Sequence, residues 1–143
     1  MTKHRVRPQQ KADVKRAAQD CCEYCGSQEA YSPDSFSMEH IIPIVKGGTN
    51  DSANLANACQ GCNNRKYVNT TAADPLTGEL VSLYHPRLDR WSEHFIWNEN
   101  CTLVIGLTPT GRATVEALEL NRKGVVNLRK VLSERGLHPL EER

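Results

Sequence analysis

The 143-residue sequence lacks the features that would place the protein in or across a membrane. No apolar run approaches the roughly 20 residues that a bilayer span needs. The basic start of the chain leads into a polar segment, residues 9–13, without the apolar core of a signal peptide. Internal repeats and low-complexity tracts are also absent, so a repeat or fibrous architecture is not expected. We therefore expect one small cytoplasmic domain with a modest core and appended helices.

The sequence also has little net charge, only +1, but this charge is unevenly distributed. Residues 1–20 contain six Lys/Arg against two Asp/Glu, and residues 121–143 contain six against three. The segment between them contains six against twelve. Basic ends around an acidic middle favour a protein whose ends contact phosphates while its centre holds cations, although solvated surface charge explains any single residue equally well.

Four of the six cysteines form two Cys-x-x-Cys pairs, Cys22/Cys25 and Cys59/Cys62, separated by 33 residues. In a reducing compartment such pairs bind metal more often than they form disulfides, and two of them can supply four thiolates to one tetrahedral zinc ion. Cys21 could compete with Cys22, but only Cys22 has the two-residue spacing. We expect Cys101 to be an ordinary buried residue.

The remaining pattern predicts short helices and strands, hence an α+β fold. We expect a flexible basic arm over residues 1–10, a first module over 11–70, and an extension over 71–143 packed on or beside it. The predicted elements are a helix over 11–19, extended segments at 36–42 and 54–58, a helix over 59–68, a strand at 80–84, a hairpin from 94–97 and 102–105, a helix entry at Thr108-Pro109, and a helix from 125 to a C-cap at Gly136.

The segment between the cysteine pairs has a more specific pattern. Its successive elements are Glu39-His40-Ile41-Ile42-Pro43, Gly47-Gly48, Asn54-Leu55 and, with the second pair, Cys59-x-x-Cys62-Asn63-x-x-Lys66. In order and spacing they resemble an HNH endonuclease of the zinc-bound subtype, over roughly residues 15–70. The resemblance implies a ββα-metal finger, in which a two-stranded hairpin and a helix surround a catalytic divalent ion. It also implies that a zinc ion held by the four paired cysteines ties the finger's ends together.

The resemblance also implies roles for individual residues. His40 stands at the position of the general base that takes a proton from the attacking water. Asn54 matches the residue that orients this histidine through its backbone or side chain. Glu39 and Asn63 match the two ligands of the catalytic ion. One carboxylate and one amide oxygen are hard donors, so Mg²⁺ or Mn²⁺ is the expected ion.

Two further expectations come from the same segment. Glu39 departs from the family, which usually has aspartate there, and its extra methylene requires the carboxylate to fold back or the ion to shift. Arg65 and Lys66, beside a site that cuts phosphodiesters, are expected to contact the nucleic-acid backbone rather than to be only solvated helix charges.

The resemblance favours a nuclease that hydrolyses phosphodiester bonds in double-stranded DNA, leaving 3′-hydroxyl and 5′-phosphate ends. Two other classes stay open. A catalytically inactive zinc-ribbon DNA-binding module is favoured only by Glu39. A zinc-stabilised interaction protein would leave the Glu-His, Gly-Gly and Asn elements unexplained.

Overall fold

A computed structural model describes residues 5–140, and the first and last few residues of the predicted terminal segments lie outside this range. Within it the chain forms five α-helices and three two-stranded antiparallel sheets. The helices are α1 Pro8–Ala17, α2 Gln60–Lys66, α3 Trp91–His94, α4 Pro109–Ala117 and α5 Lys123–Glu134. The strands are β1 Ser37–His40, β2 Leu55–Ala58, β3 Thr71–Ala73, β4 Leu80–Ser82, β5 Phe95–Trp97 and β6 Val104–Gly106. The predicted α+β class is confirmed.

The central finger consists of β1, β2 and the helix α2 that follows β2 directly. The two strands pair in a register that places Glu39 opposite Ala56 and His40 opposite Leu55. All four residues of β2 are buried, so both faces of this strand are covered by the rest of the protein. The ββα arrangement confirms the predicted extended segments and the helix that begins in the second cysteine pair.

The loop between β1 and β2 is closed tightly on itself. A Cβ atom on Gly48 would lie 1.7 Å from the carbonyl oxygen of Ile42, so only glycine permits this approach. Gly47 adopts a left-handed conformation, with φ of 91°, directly after a short 3-10 turn. The glycine pair therefore holds the loop against the end of β1, where His40 lies.

Helix α1 begins at Pro8, three residues earlier than the sequence analysis placed it, and therefore takes up part of the predicted arm. Proline suits the first helical position because its missing N–H has no intrahelical partner there. The side chain of Gln10 caps the backbone of Arg7. Val14 and Ala18 are the buried residues of this segment.

The C-terminal part packs on the finger and shares its core. The hairpin β3–β4 was not predicted as a hairpin. The predicted hairpin is present as β5–β6. The predicted helix entry is also present, and Thr108 caps α4 by accepting a hydrogen bond from the N–H of Gly111. Gly111 also allows close packing, since a Cβ there would lie 2.1 Å from the carbonyl oxygen of His94. The shared core includes Cys22, Tyr24, Phe36, Ile41, Leu83, Tyr84, Phe95, Val104, Leu118, Leu120 and Val125.

A buried arginine joins the two parts. Arg129 of α5 is only 2% exposed and donates hydrogen bonds to the carbonyl oxygens of Cys25, Thr102 and Leu120. Its guanidinium also lies 5.0 Å from the centre of a Trp97 ring. The first cysteine pair is thus tied directly to the last helix.

Candidate metal centre and active site

The four paired cysteines converge on one point. The sulfurs of Cys22, Cys25, Cys59 and Cys62 all lie within 4.8 Å of one another, and all four residues are buried. The sulfurs of Cys25 and Cys59 are 3.7 Å apart, close to the separation of about 3.8 Å that follows from tetrahedral Zn–S bonds of about 2.3 Å. Cys21 and Cys101 are outside this cluster. The donor set fits a structural zinc ion, as the cysteine spacing predicted.

Both pairs have the local geometry of a metal knuckle. The sulfur of Cys22 accepts a hydrogen bond from the backbone N–H of Cys25, and the sulfur of Cys59 accepts one from Cys62. These amides direct positive charge at the sulfurs and so favour their thiolate forms. Hydrogen bonding with Cys22 lowers the pKa of Cys59 to about 7, whereas burial raises the pKa of Cys22. Thiolate is the form that ligates metal.

His40 ends β1 beside the glycine-rich loop, with its ring half-buried. Its Nε2 lies 2.7 Å from the side-chain oxygen of Asn50. A carbonyl oxygen can only accept, so Nε2 carries the proton and Nδ1 keeps its lone pair. In the neutral form of the ring this contact leaves Nδ1 as the nitrogen that can take a proton, as a general base must. Asn50 was not identified from the sequence.

Asn54 holds the loop rather than the imidazole. Its side chain is buried and makes three hydrogen bonds, accepting from the N–H of Ile42 and donating to the carbonyl oxygens of Ile42 and Thr49. Its own carbonyl oxygen accepts from the N–H of Ile41, next to His40. None of these contacts joins Asn54 to the imidazole of His40, and its orienting role stays a prediction.

Glu39 is buried and has a cation beside it. Its Oε2 lies 2.6 Å from the ammonium of Lys66, and its Oε1 accepts a hydrogen bond from the hydroxyl of Tyr24 at 2.5 Å. Burial raises the pKa of Glu39, while Lys66 and Tyr24 act in the opposite direction. Burial, together with the charge of Glu39, also raises the pKa of Tyr24, so Tyr24 remains the protonated donor.

Lys66 does not lie where the sequence analysis expected it. Its side chain is 2% exposed, and its ammonium also donates to the carbonyl oxygen of Ile41 at 2.7 Å. In this position it has no exposed charge to offer a phosphate, because the ion pair with Glu39 draws it under the hairpin. Lys66 is therefore an internal partner of Glu39, and the expected backbone contact does not fit its placement.

Asn63 and Arg65 occupy different positions on the same short helix. Asn63 is half-exposed and lies three residues before Lys66, so the two side chains are neighbours on the helix surface. Arg65 is on the outer side, where it forms an ion pair with Glu119 at 3.1 Å. Exposed ion pairs contribute little to stability, and the predicted contact of Arg65 with a nucleic-acid backbone stays a prediction.

Comparison with known protein families supports the resemblance to an HNH endonuclease. Residues 22–68 match the family model described as HNH endonuclease. The search of curated proteins and that of solved structures each return no match. Among residues 5–140 no helix is long and apolar enough to cross a membrane. The family match, the ββα finger and the four clustered cysteines together identify residues 22–68 as an HNH endonuclease domain with the metal site of the zinc-bound subtype.

Proposed function

We propose that the protein is a metal-dependent endonuclease that hydrolyses phosphodiester bonds in double-stranded DNA. The observation that carries this proposal is the contact between His40 and Asn50 at the end of β1, which leaves the other ring nitrogen without a hydrogen-bond partner among residues 5–140. A protein that used the zinc site only for folding would not need an oriented, half-exposed imidazole there. Because paired cysteines bind metal more often than they form disulfides in a reducing compartment, a cytoplasmic location is part of this proposal.

The reaction uses His40 as the base. Its free Nδ1 takes a proton from water as that water attacks phosphorus. The bond to the 3′ oxygen breaks, and this oxygen leaves with a proton from solvent. The products are a 3′-hydroxyl and a 5′-phosphate. Asn50 keeps the neutral ring in the required tautomer, and after the reaction the imidazolium returns its proton to solvent.

Glu39 and Asn63 are the residues that would hold the catalytic Mg²⁺ or Mn²⁺. The fit rests on Glu39, whose Oε2 is buried with no aligned hydrogen bond and already has a cation, the Lys66 ammonium, at 2.6 Å. When bound, the ion would stabilise the charge that develops on the phosphate and the leaving oxygen. The zinc at the four cysteines would have a purely structural role. Arg65 is the proposed contact to the nucleic-acid backbone.

Plasmid nicking tests this function. Zinc-loaded protein is assayed in metal-depleted buffer with and without Mg²⁺ or Mn²⁺, because EDTA would also remove the structural zinc. We expect cleavage only with added metal, and a loss of at least about 100-fold in His40→Ala. Zinc content and melting temperature serve as controls for the fold of this variant. Cleavage by His40→Ala near the wild-type rate would overturn the role of His40.

A second candidate function, an inactive DNA-binding module, is favoured by the ion pair between Glu39 and Lys66, which occupies the expected ligand. The same assay separates the two functions. A zinc-loaded wild type that binds duplex DNA without cutting it under any metal condition would support the binding module.

A further inference from the structure

Lys66 is unusual in being a fully buried lysine, since lysine side chains are almost never buried without a partner. Its ammonium has two oxygen neighbours, the carboxylate of Glu39 at 2.6 Å and the carbonyl of Ile41 at 2.7 Å. A carboxylate and a carbonyl are also the donors that hard metal ions choose. The position of the Lys66 nitrogen is therefore a cation site built from protein oxygens.

The contact between Lys66 and Glu39 is an ion pair without the alignment of a hydrogen bond. Oε2 of Glu39 has no hydrogen-bond partner of acceptable geometry among the described residues, although the lysine nitrogen is within ion-pair distance. The other oxygen is satisfied by Tyr24. Removing the lysine would leave a buried carboxylate with one hydrogen bond and no counter-charge, which is strongly unfavourable.

We propose that the ammonium of Lys66 occupies the cation position of Glu39 and competes there with the catalytic divalent ion. The inference rests on the proposed function only in taking Glu39 as a metal ligand. A divalent ion that approaches this carboxylate must displace the ammonium or bind beside a like charge. Both requirements lower the affinity of the ion for Glu39. Lys66 thus keeps the finger folded without the ion and makes the ion's binding weak.

The test measures metal binding without nucleic acid. Zinc-loaded wild type, Lys66→Met and the double variant Glu39→Gln/Lys66→Met are titrated with Mn²⁺, and free Mn²⁺ is followed by electron paramagnetic resonance. Methionine approximates the volume of the lysine stem without its charge. We expect Lys66→Met to bind one Mn²⁺ about 10- to 100-fold more tightly than wild type. The double variant, which has neither charge, should show no such gain.

A thermal-shift measurement covers the case in which Lys66→Met folds poorly. Mn²⁺ should then raise the melting temperature of this variant, by filling the vacated position, and should leave that of the double variant unchanged. Equal Mn²⁺ affinity in wild type and Lys66→Met, an equal gain in the double variant, or a Lys66→Met protein that Mn²⁺ does not stabilise would each overturn the proposal. Since no cleavage is measured, a protein that meets these expectations but never cuts DNA would contradict only the proposed function.

Discussion

The guanidinium of Arg122 donates hydrogen bonds to the sulfurs of two zinc-site cysteines, Cys59 at 3.3 Å and Cys62 at 3.5 Å. Arg122 immediately precedes α5 and lies outside the residues that match the family model. It is held in place by the carbonyl oxygens of Leu118 and Glu119. Gly61 leaves room for it, since a Cβ there would lie 2.6 Å from a guanidinium nitrogen. The C-terminal part therefore supplies an outer contact to the metal site of the nuclease domain.

Replacing this arginine should weaken the zinc site. In Arg122→Met the two sulfurs lose their charged donor, and loss of such a partner typically lowers metal affinity by about 10- to 100-fold. Competition with a chromophoric zinc chelator measures the change. Arg135→Met, a substitution at an exposed arginine beyond the end of α5, is the matched control and should bind zinc as wild type does. Equal zinc affinity in both variants would mean that Arg122 only packs beside the cysteines.

The four-cysteine site itself should be required for folding. Because metal-binding free energy becomes folding free energy in a small domain, removal of zinc should unfold the finger. We expect one equivalent of zinc in protein purified without chelator. Cys59→Ala should lose this zinc and melt at a much lower temperature, whereas Cys101→Ala, outside the cluster, should keep it. Unchanged melting of Cys59→Ala would refute a structural role for the metal.

The finger could be predicted from the sequence because its elements are fixed by local signals. The cysteine spacing, the extended residues around Glu39 and the glycine pair each constrain a few neighbouring residues. The start of α1 was placed three residues too late, although Pro8 at the first helical position is an ordinary helix-entry signal. Strand β3 could not be predicted from the sequence. Its three residues alternate only between exposed and half-buried, and no periodic apolar pattern precedes them.

The placement of charges could not be predicted in the same way, because it depends on contacts distant in sequence. Lys66 follows Arg65 on a short polar helix and has the pattern of a solvated charge, but Glu39, 27 positions away across the finger, draws it inside. Similarly, Arg122 and Arg129 belong to the basic C-terminal segment that was expected to contact phosphates. Both are committed to internal partners instead. The net charge of a segment therefore does not show which of its cations lie on the surface and which have partners inside the protein.

Asn50 should act as a positioning residue for the base. Asn50→Ala removes the acceptor that fixes the His40 tautomer, and we expect cleavage to fall by about 10-fold or more but by less than in His40→Ala. Asn50→Asp keeps the acceptor and adds a charge that favours the protonated ring, so the acidic limb of its pH–rate profile should move to higher pH. A residue with only a structural role would not move this limb. Asn64→Ala on the exposed side of α2 is the control, and a profile unchanged in Asn50→Asp would refute the assignment.

His138 should make the protein less stable in mild acid. It is buried, its Nε2 donates to the carbonyl oxygen of Cys101 at 3.0 Å, and its ring lies edge-on to Trp97 at 4.6 Å. Burial, aided by the positive charge of Arg129, lowers the pKa of His138. The folded state therefore prefers the neutral ring, so this contribution to stability is complete above the unfolded pKa of about 6.5 and is lost as pH falls through the folded pKa. His138→Gln keeps an N–H donor without a titrating group. Urea unfolding of zinc-saturated protein between about pH 7.5 and pH 5 should show the wild-type midpoint falling more steeply than that of His138→Gln, and parallel curves would show that His138 does not titrate on unfolding.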